Sequence, residues 1–186
     1  MPAITDISPK VLRDRHRMSP QQINLLYGSK VIEDSLEEKS MALEDVAEFI
    51  RVTDALAEAG INFIPLKGPL LSLRLYGDAT FRHFRDLDIM VAPAELDTVV
   101  EIIRSLGYLA EGRAWPSERR RQQRLIRYHH NIPYINNANS VILEIRWRFR
   151  NRQWIDVRHA DRLIRQNMTN IDFAGRSFHV MNSEME

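Results

Sequence analysis

The 186-residue sequence contains no cysteine, which excludes disulfide bonds, thiolate zinc sites and a cysteine nucleophile and fits a reducing compartment. Its first residues have no apolar core of signal-peptide length, and no stretch approaches the ~20 apolar residues of a membrane span. Walker-type phosphate loops and serine hydrolase elbows are also missing. We therefore expect a cytoplasmic protein without membrane contact, in which any metal ion is bound by oxygen or imidazole ligands.

What the chain does contain is typical of one globular domain with a small appendage. Hydrophobic residues make up 44% and charged residues 27% of the sequence, which favours neither a disordered nor a fibrous protein. The length is sufficient to bury a hydrophobic core. We predict an N-terminal arm and helix over residues 1–34 and one main domain over residues 35–186.

The net charge of +1 conceals two segments of opposite charge. Residues 33–58 carry nine acids and two bases, which predicts a solvated helix face. Residues 113–152 carry ten arginines and two acids, a positive field strong enough to attract a phosphate-rich partner. That positive segment therefore requires either a functional partner or neighbouring acids for ion pairs.

Hydrophobic periodicity, together with glycine and proline positions, predicts alternating helices and strands. Helices are predicted from residue 20 and over residues 35–59, 70–76, 94–106, 117–128 and 156–166. Strands are predicted at 61–66, 87–91, 108–109, 132–135, 141–149 and 177–181, with 132–135 and 141–149 forming a β-hairpin. Residues 1–19 are expected to be irregular. This order of elements is typical of an α/β protein.

Two aspartates stand at the start of the second predicted strand. Asp86 and Asp88 are two positions apart, so on a strand they point to one face, about 6.6 to 7 Å apart along the backbone. Such clustered like charge is unfavourable without a metal ion or a base. Magnesium prefers hard oxygen ligands and bridges carboxylate to phosphate. The pair therefore has two interpretations: a metal site for phosphoryl or nucleotidyl transfer, or a strand end whose carboxylates cap backbone amides.

A single acid, Glu144, stands among apolar residues of the predicted strand at 141–149. It costs free energy there unless it pairs with a cation or binds a metal ion. Alternation along the strand places Glu144 on one face with Arg146 and Arg148, so an ion pair with either arginine is the alternative to metal binding. Trp147 and Phe149 lie on the opposite face and are expected to pack in the core.

Several short motifs follow one another in the order and spacing of a known family. They are Leu66-Lys67-Gly68, Leu71, Tyr76-Gly77, Arg82, Asp86-Leu87-Asp88-Ile89-Met90-Val91 and Leu106-Gly107-Tyr108, with Glu144-Ile145-Arg146-Trp147 later in the chain. Together they resemble the signature of the uncharacterised nucleotidyltransferases in the DNA polymerase β-like superfamily. The resemblance covers roughly residues 40–150, and the combined signature is more specific than any single motif.

The resemblance implies an α/β (α+β) fold of the polymerase β-like nucleotidyltransferase type: a small mixed sheet with flanking helices and a C-terminal β-hairpin extension. It implies that Asp86 and Asp88 bind Mg2+ or Mn2+, and that Glu144 supplies a third catalytic, metal-binding carboxylate that orients or deprotonates the attacking hydroxyl. The donor would be a nucleoside triphosphate, which transfers its nucleoside monophosphate to an unidentified acceptor: a small molecule, a protein or RNA. Residues 35–186 would form the nucleotidyltransferase-like domain.

The residues implied to contact the nucleotide are Lys67, Gly68, Arg82 and Arg146. The wider superfamily usually has Gly-Ser where this family and this chain have Lys67-Gly68, so that Gly68 lets the backbone approach phosphate while Lys67 supplies positive charge. A surface lysine without function is the alternative for Lys67. Arg82, like Arg85, either meets phosphate or neutralises the nearby aspartates.

Arg146 departs from the family pattern, which usually has histidine before the tryptophan. The arginine either holds phosphate or pairs with Asp86 in place of the metal ion, which would change the substrate or abolish activity. The family also commonly extends beyond the point at which this chain ends, so that a helical substrate-binding part is expected to be missing.

The arginines of segment 118–127 have three interpretations: a solvated helix face, contacts to nucleic acid, and contacts to the phosphates of the nucleotide. Few aromatic residues are interleaved for base stacking. Three functions are therefore compared. They are a magnesium-dependent nucleotidyltransferase, a degenerate member of the fold that binds nucleotide or protein without turnover, and a basic nucleic-acid-binding domain.

Overall fold

Helices and strands alternate along the described part of the chain. A computed structural model describes residues 7–15, 18–33, 35–82, 84, 86–148 and 167–182. Its helices are α1 (Pro9–Asp14), α2 (Pro20–Tyr27), α3 (Leu36–Glu58), α4 (Pro69–Tyr76), α5 (Leu96–Ser105) and α6 (Arg119–Tyr128). Its strands are β1 (Phe63–Pro65), β2 (Asp86–Val91), β3 (Tyr108–Ala110), β4 (Asn131–Asn136), β5 (Ile142–Arg146), β6 (Met168–Phe173) and β7 (Arg176–Met181). The chain forms two compact units, residues 1–49 with 68–84 and residues 50–67 with 85–186.

The first unit contains α1, α2, the N-terminal part of α3, and α4. The start of α2 is as predicted. Ser19 Oγ accepts a hydrogen bond from the backbone N–H of Gln22, and the Gln22 side-chain oxygen accepts one from the Ser19 N–H, which together form a capping box. The expected irregular structure of residues 1–19 is wrong over α1. Ser8 caps that helix, and Pro9 lies in its first turn, where a backbone N–H has no helical acceptor.

A five-stranded mixed sheet forms the centre of the second unit, with strand order β1-β2-β5-β4-β3. β2 and β5 run parallel, and the other neighbours are antiparallel, including the β4–β5 hairpin that the sequence predicts. Alternation along the strands divides the side chains between two faces. The apolar, buried face carries Leu87, Ile89, Tyr134, Leu143 and Ile145, and the same unit buries Leu96, Val99, Val100 and Ile103 of α5. The opposite face is therefore free to carry polar residues.

A separate two-stranded antiparallel sheet, β6 with β7, lies C-terminal to the five strands. The sequence predicts β7 but not β6, whose residues are all exposed or half-buried, so that its hydrophobic signal is weak. Met168 and Met181 of this hairpin pack with Ile64, Leu66 and Met90, which places the hairpin at the β1 side of the sheet. Residue 149 and the predicted helix at 156–166 lie outside the described residues.

The 23-residue helix α3 follows the predicted apolar period in its later turns, whereas the apolar side chains of Leu36, Met41 and Leu43, which the period also placed on the core, are exposed. Phe49, Val52 and Leu56 are buried, while the acids Glu37, Glu44 and others on the opposite side are exposed. The C-terminal stop predicted at Gly60 adopts a positive φ of 71°, a conformation that glycine tolerates best. No helix among the described residues is long and apolar enough to cross a bilayer.

Asp45 on α3 is expected to make the stability of the protein depend on pH. Burial, and then the neighbouring charge of Glu44, raise the pKa of Asp45 to about 6. Because the folded-state pKa lies above the ordinary value of 3.8, the stabilisation is complete below about pH 4 and is lost as the pH rises through about 6. Asp45→Asn is therefore expected to raise the free energy of unfolding at pH 7.5 by about 1 kcal/mol. The full shift corresponds to about 3 kcal/mol, which is discounted because the carboxylate is only half-buried.

Urea unfolding at pH 4.5 and 7.5 measures this effect. The parent protein should lose stability between the two pH values, and Asp45→Asn should lose clearly less. Glu101→Gln, at an exposed position of α5, is the matched control and should shift the free energy of unfolding by less than about 0.5 kcal/mol. An Asp45→Asn variant with the same pH dependence as the parent would show that this carboxylate does not titrate as inferred.

Candidate active site

Three acids come together on the face of the five-stranded sheet opposite Leu87, Ile89 and Leu143. Asp86 and Asp88 lie two residues apart on β2, and the parallel register of β2 with β5 places Asp88 directly opposite Glu144. One carboxylate oxygen from each of the three residues lies within 4.8 Å of the other two. Asp88 is buried, whereas Asp86 and Glu144 are half-buried. The prediction that alternation along the strand places Asp86 and Asp88 on one face is thus confirmed, and the pairing of β2 with β5 places Glu144 beside them.

Two cations contact these acids. Arg146 Nε donates to Asp88 Oδ1, and Arg146 Nη2 donates to Glu144 Oε2. Lys67 Nζ lies 2.9 Å from Asp88 Oδ2. Lys67 and Asp88 therefore form an ion pair. Asp88 Oδ2 accepts no hydrogen bond within the described residues. The Asp88 side chain is 0% exposed, so its charge depends on these two partners.

The structure decides between the arginine pairings left open by the sequence. Arg146 pairs with Asp88 and Glu144; the expected alternative of pairing with Asp86 is wrong. Among the described residues Asp86 forms no hydrogen bond or ion pair. Arg148 does not pair with Glu144 and instead donates from Nη1 to the Arg127 carbonyl at 3.2 Å. Asp86 is therefore the acid of this group that remains uncompensated within the described part of the chain.

Asp88 is held in its ionised form. Burial alone raises the pKa of its carboxyl group, but the ion pair with Lys67 and the hydrogen bond and charge of Arg146 outweigh burial and lower the pKa below 3.8. The carboxylate is therefore an anion at neutral pH. An anionic, buried carboxylate beside two further acids is a suitable oxygen ligand for a hard cation.

Asn131 is a site residue that the sequence argument missed. It is the first residue of β4, pairs across the hairpin with Arg146, and donates from Nδ2 to Glu144 Oε2 at 2.7 Å. The only sequence signal is its place at the start of a hairpin strand, and using it requires the exact register of β4 with β5. Asn131 and Arg146 together orient Glu144 through the same oxygen.

The remaining predicted nucleotide contacts belong to the first unit. Gly68 follows Lys67 and precedes α4, with φ 75° and ψ −140°, a backbone conformation essentially restricted to glycine. The backbone N–H of Arg82 donates to Ser72 Oγ at 3.1 Å. Arg85 lies outside the described residues. The nucleotide-binding roles of Gly68 and Arg82 remain predictions.

The three carboxylates fit a divalent cation. Mg2+ holds oxygen ligands at about 2.1 Å, so two ligands on opposite sides of the ion are about 4.2 Å apart. This separation is close to the 4.8 Å limit observed here, and a small rotation of the half-buried Asp86 or Glu144 side chain would close the difference. The donor set, oxygen atoms of carboxylates only, is the one that Mg2+ and Mn2+ prefer.

Two solved structures share the fold of this chain. The lincosamide antibiotic adenylyltransferase LnuA, in a lincomycin-bound crystal structure, is 12% identical over 75% of this chain and 81% of its own, with a TM-score of 0.51. The Thermotoga maritima protein TM1012, provisionally described as a nucleotidyltransferase, is 17% identical over 77% of this chain and 80% of its own, with a TM-score of 0.50. No curated protein matches the sequence. At these identities the structural similarity shows a shared fold.

Family membership follows from the sequence model rather than from these two structures. The family described as Uncharacterised nucleotidyltransferase matches residues 35–186. The expected α/β fold, a small mixed sheet with helices and a C-terminal hairpin, is likewise confirmed, and the two solved structures that share the fold are nucleotidyltransferases. With most of its length matched and the signature acids gathered on one sheet face, this chain belongs to the uncharacterised nucleotidyltransferase family.

Proposed function

We propose that this protein is a metal-dependent nucleotidyltransferase that moves a nucleoside monophosphate from a nucleoside triphosphate to a hydroxyl group of an acceptor. The observation that carries the proposal is the cluster of Asp86, Asp88 and Glu144, whose oxygens lie within 4.8 Å of one another in a chain of this family. We also propose that residues 35–186 form the catalytic domain and residues 1–34 an appendage.

Asp86 and Asp88 are the residues that would hold the metal ion, with Glu144 as the third ligand. A bound Mg2+ or Mn2+ would neutralise charge on the triphosphate and on the leaving pyrophosphate. Asp88 contributes a fixed, anionic carboxylate, because its side chain is buried and its pKa is lowered by Lys67 and Arg146. Asp86 is half-buried and is therefore free to adjust its position.

Glu144 is placed to take the proton of the attacking hydroxyl. Its Oε2 already accepts from Asn131 and Arg146, which leaves Oε1 without a hydrogen bond among the described residues. In the proposed step the acceptor hydroxyl transfers its proton to Oε1, and its oxygen bonds to the α-phosphorus. The bond from the α-phosphorus to the bridging oxygen breaks, and pyrophosphate leaves with that electron pair.

Lys67 and Arg146 would contact the phosphates, and the nucleotide contacts of Gly68 and Arg82 in the first unit stay predictions. The Lys67 side chain is 50% exposed, although its Nζ lies against Asp88. Its ammonium group can therefore reach a phosphate in solvent without first being exposed by a movement of the protein. Arg146 is 17% exposed and presents a planar guanidinium, which binds phosphate oxygens in pairs. Both side chains would exchange a carboxylate partner for a phosphate partner when nucleotide binds.

A second candidate function is supported by the same arginine. Arg146 bridges two of the three carboxylates, a position in which a cationic side chain partly replaces a metal ion. A degenerate family member would bind nucleotide or a partner protein without turnover. In that case, nucleotide binding should survive the loss of Glu144, and pyrophosphate release should be absent from the unsubstituted protein as well.

Calorimetric titration of ATP, GTP, CTP and UTP, with magnesium and with EDTA, tests the proposed function. We expect at least one nucleotide to bind only when magnesium is present. Slow pyrophosphate release to water should accompany binding. Glu144→Gln should lower that rate about 100-fold or more, and it should also weaken magnesium-dependent nucleotide binding, because Glu144 is the proposed third ligand of the metal ion. Failure of all four nucleotides to bind a protein that is folded by circular dichroism would contradict the proposal.

A further inference from the structure

The exposed arginines of α6 form a second positively charged surface. Arg119, Arg120, Arg121, Arg124 and Arg127 are all exposed, and they are named here the α6 arginine face. The helix attaches to its own unit through other positions, because Leu125 is buried and Ile126 is half-buried. All five cations of the helix therefore point away from the core.

Ion pairs do not account for this charge. Arg121 Nε lies 3.1 Å from Glu118 Oε2, one turn away on an exposed surface, where such a pair contributes little. Arg119, Arg120 and Arg124 form no ion pair within the described residues. Within the described residues, neighbouring acids pair with Arg146 and Arg121 but not with Arg119, Arg120 or Arg124. For these α6 arginines a functional partner is the better explanation of the positive charge.

We propose that the α6 arginine face binds the phosphate backbone of single-stranded nucleic acid and, resting on the function proposed above, that this strand carries the acceptor hydroxyl. Arg120, Arg124 and Arg127 recur at helical spacing, so they line one side of α6 over about 10 Å. Residues 113–152 contain no lysine. Arginine, more than lysine, matches the paired oxygens of a phosphodiester.

Two observations favour a nucleic acid over an anionic membrane or an acidic protein. The apolar side chains of α6 pack within the protein, because Leu125 is buried, Ile126 is half-buried, and Trp147 Nε1 donates to the Ile126 carbonyl at 3.1 Å. The described part of α6 therefore has no exposed apolar stripe for lipid. Tyr128 is 61% exposed, and the Arg127 guanidinium lies 5.7 Å from its ring centre. An exposed ring beside arginines is a stacking position for an unpaired base.

The C-terminal end of α6 leads directly to the candidate active site. Two residues separate α6 from β4, whose first residue, Asn131, donates to Glu144. Arg148, two residues after Arg146 of β5, donates to the Arg127 carbonyl. A strand bound on the α6 arginine face would therefore be held beside the strands that carry the catalytic acids.

Fluorescence anisotropy with labelled 20-nucleotide oligo-U and oligo-dT, in EDTA and without nucleotide, tests the binding surface. The logarithm of affinity should fall with the logarithm of salt concentration with a slope of about −2 to −3.5, the range for three to five phosphate contacts on a single strand. Arg120→Gln/Arg124→Gln/Arg127→Gln should weaken binding at least tenfold at 100 mM salt and reduce the slope by about 2.

A matched control keeps the total charge change equal. Lys10→Gln/Lys30→Gln/Lys39→Gln removes three exposed cations outside α6 and should leave affinity within about twofold of the parent. Equal weakening by both triple variants, or no binding by the parent protein, would overturn the proposal. Vesicles containing phosphatidylserine or an acidic peptide that bind as tightly as oligo-U would also overturn it, because a general anion surface would then be indicated.

Transfer of radiolabelled nucleotide from an α-labelled triphosphate to unlabelled oligo-U, followed on a gel with magnesium, tests the acceptor claim. We expect labelled strand with the parent protein and none with the α6 variant, while calorimetric triphosphate binding is unchanged in that variant. Strand binding without labelling would overturn the acceptor claim but retain the surface. Absence of triphosphate binding in the parent would instead refute the function proposed above, so the two failures are distinguishable.

Discussion

An Asp88→Asn variant is expected to lose both metal-dependent nucleotide binding and folding stability, whereas Asp86→Asn should lose only the binding. Asp88 is 0% exposed and is in contact with Arg146 and Lys67. Removing its charge leaves a largely buried guanidinium with one acidic partner, Glu144. Breaking a buried pair costs roughly 3–5 kcal/mol. We discount this to about 2 kcal/mol, because Glu144 remains and Lys67 is half-exposed.

Asp86 differs because nothing in the described residues pairs with it. Asp86→Asn removes a negative charge beside two other acids, so the free energy of unfolding should change by less than about 1 kcal/mol. Each substitution nevertheless removes one of three carboxylates from the site. Magnesium-dependent triphosphate binding should therefore fall at least tenfold in both variants.

Urea unfolding in EDTA and calorimetric titration with Mn2+ separate the two effects. Glu101→Gln, an exposed acid on α5, serves as a control for loss of a single negative charge. Equal destabilisation by Asp86→Asn and Asp88→Asn would contradict the inferred difference in their partners. Unchanged Mn2+ binding in both variants would remove the carboxylate cluster as the metal site.

The second large effect is expected at Arg146. Its guanidinium contacts Asp88 Oδ1 and Glu144 Oε2, which belong to two of the three carboxylates that would hold a metal ion. A hydrogen bond to a charged group contributes about 1.5–3 kcal/mol, and 1.4 kcal/mol corresponds to a factor of ten in affinity. Arg146→Met is therefore expected to raise the affinity for Mn2+, in the absence of nucleotide, at least tenfold.

Nucleotide should reverse the advantage of this variant. In the parent protein the triphosphate offers Arg146 a new partner, so metal ion and nucleotide should each strengthen the binding of the other. Arg146→Met cannot provide that exchange and should show weaker nucleotide binding and little coupling. In EDTA it should also be less stable than the parent, because Asp88 then keeps only Lys67 as a cationic partner.

Arg148→Met is the matched control, since Arg148 lies two residues away but donates to a backbone carbonyl rather than to a carboxylate. Both substitutions remove one positive charge near the site. Mn2+ titrations with and without ATP should distinguish them. If Arg146→Met and Arg148→Met bind Mn2+ equally tightly, competition between Arg146 and the metal ion is refuted.

Predictions from hydrophobic and side-chain spacing were correct where a single helical or strand period determines which side chains share a face. The apolar spacing of α3 and the glycine after it located that helix, and the two-residue period placed Asp86 and Asp88 on one face. Local patterns failed at α1, where a proline in the first turn was taken as a sign of irregular structure. They also failed at β6, whose side chains are too little buried to produce a hydrophobic signal.

The sequence by itself determined the family, the order of the elements other than α1 and β6, and the identity of the three acids, because motif order and side-chain period are properties of the chain alone. Only the tertiary structure decided which charges meet. Arg146 selects Asp88 and Glu144 rather than Asp86, and Asn131 reaches Glu144. These contacts depend on strand register, in which a shift of one residue would move every side chain to the other face of the sheet. Register is set by the packing of the whole sheet, so a local motif carries no record of it.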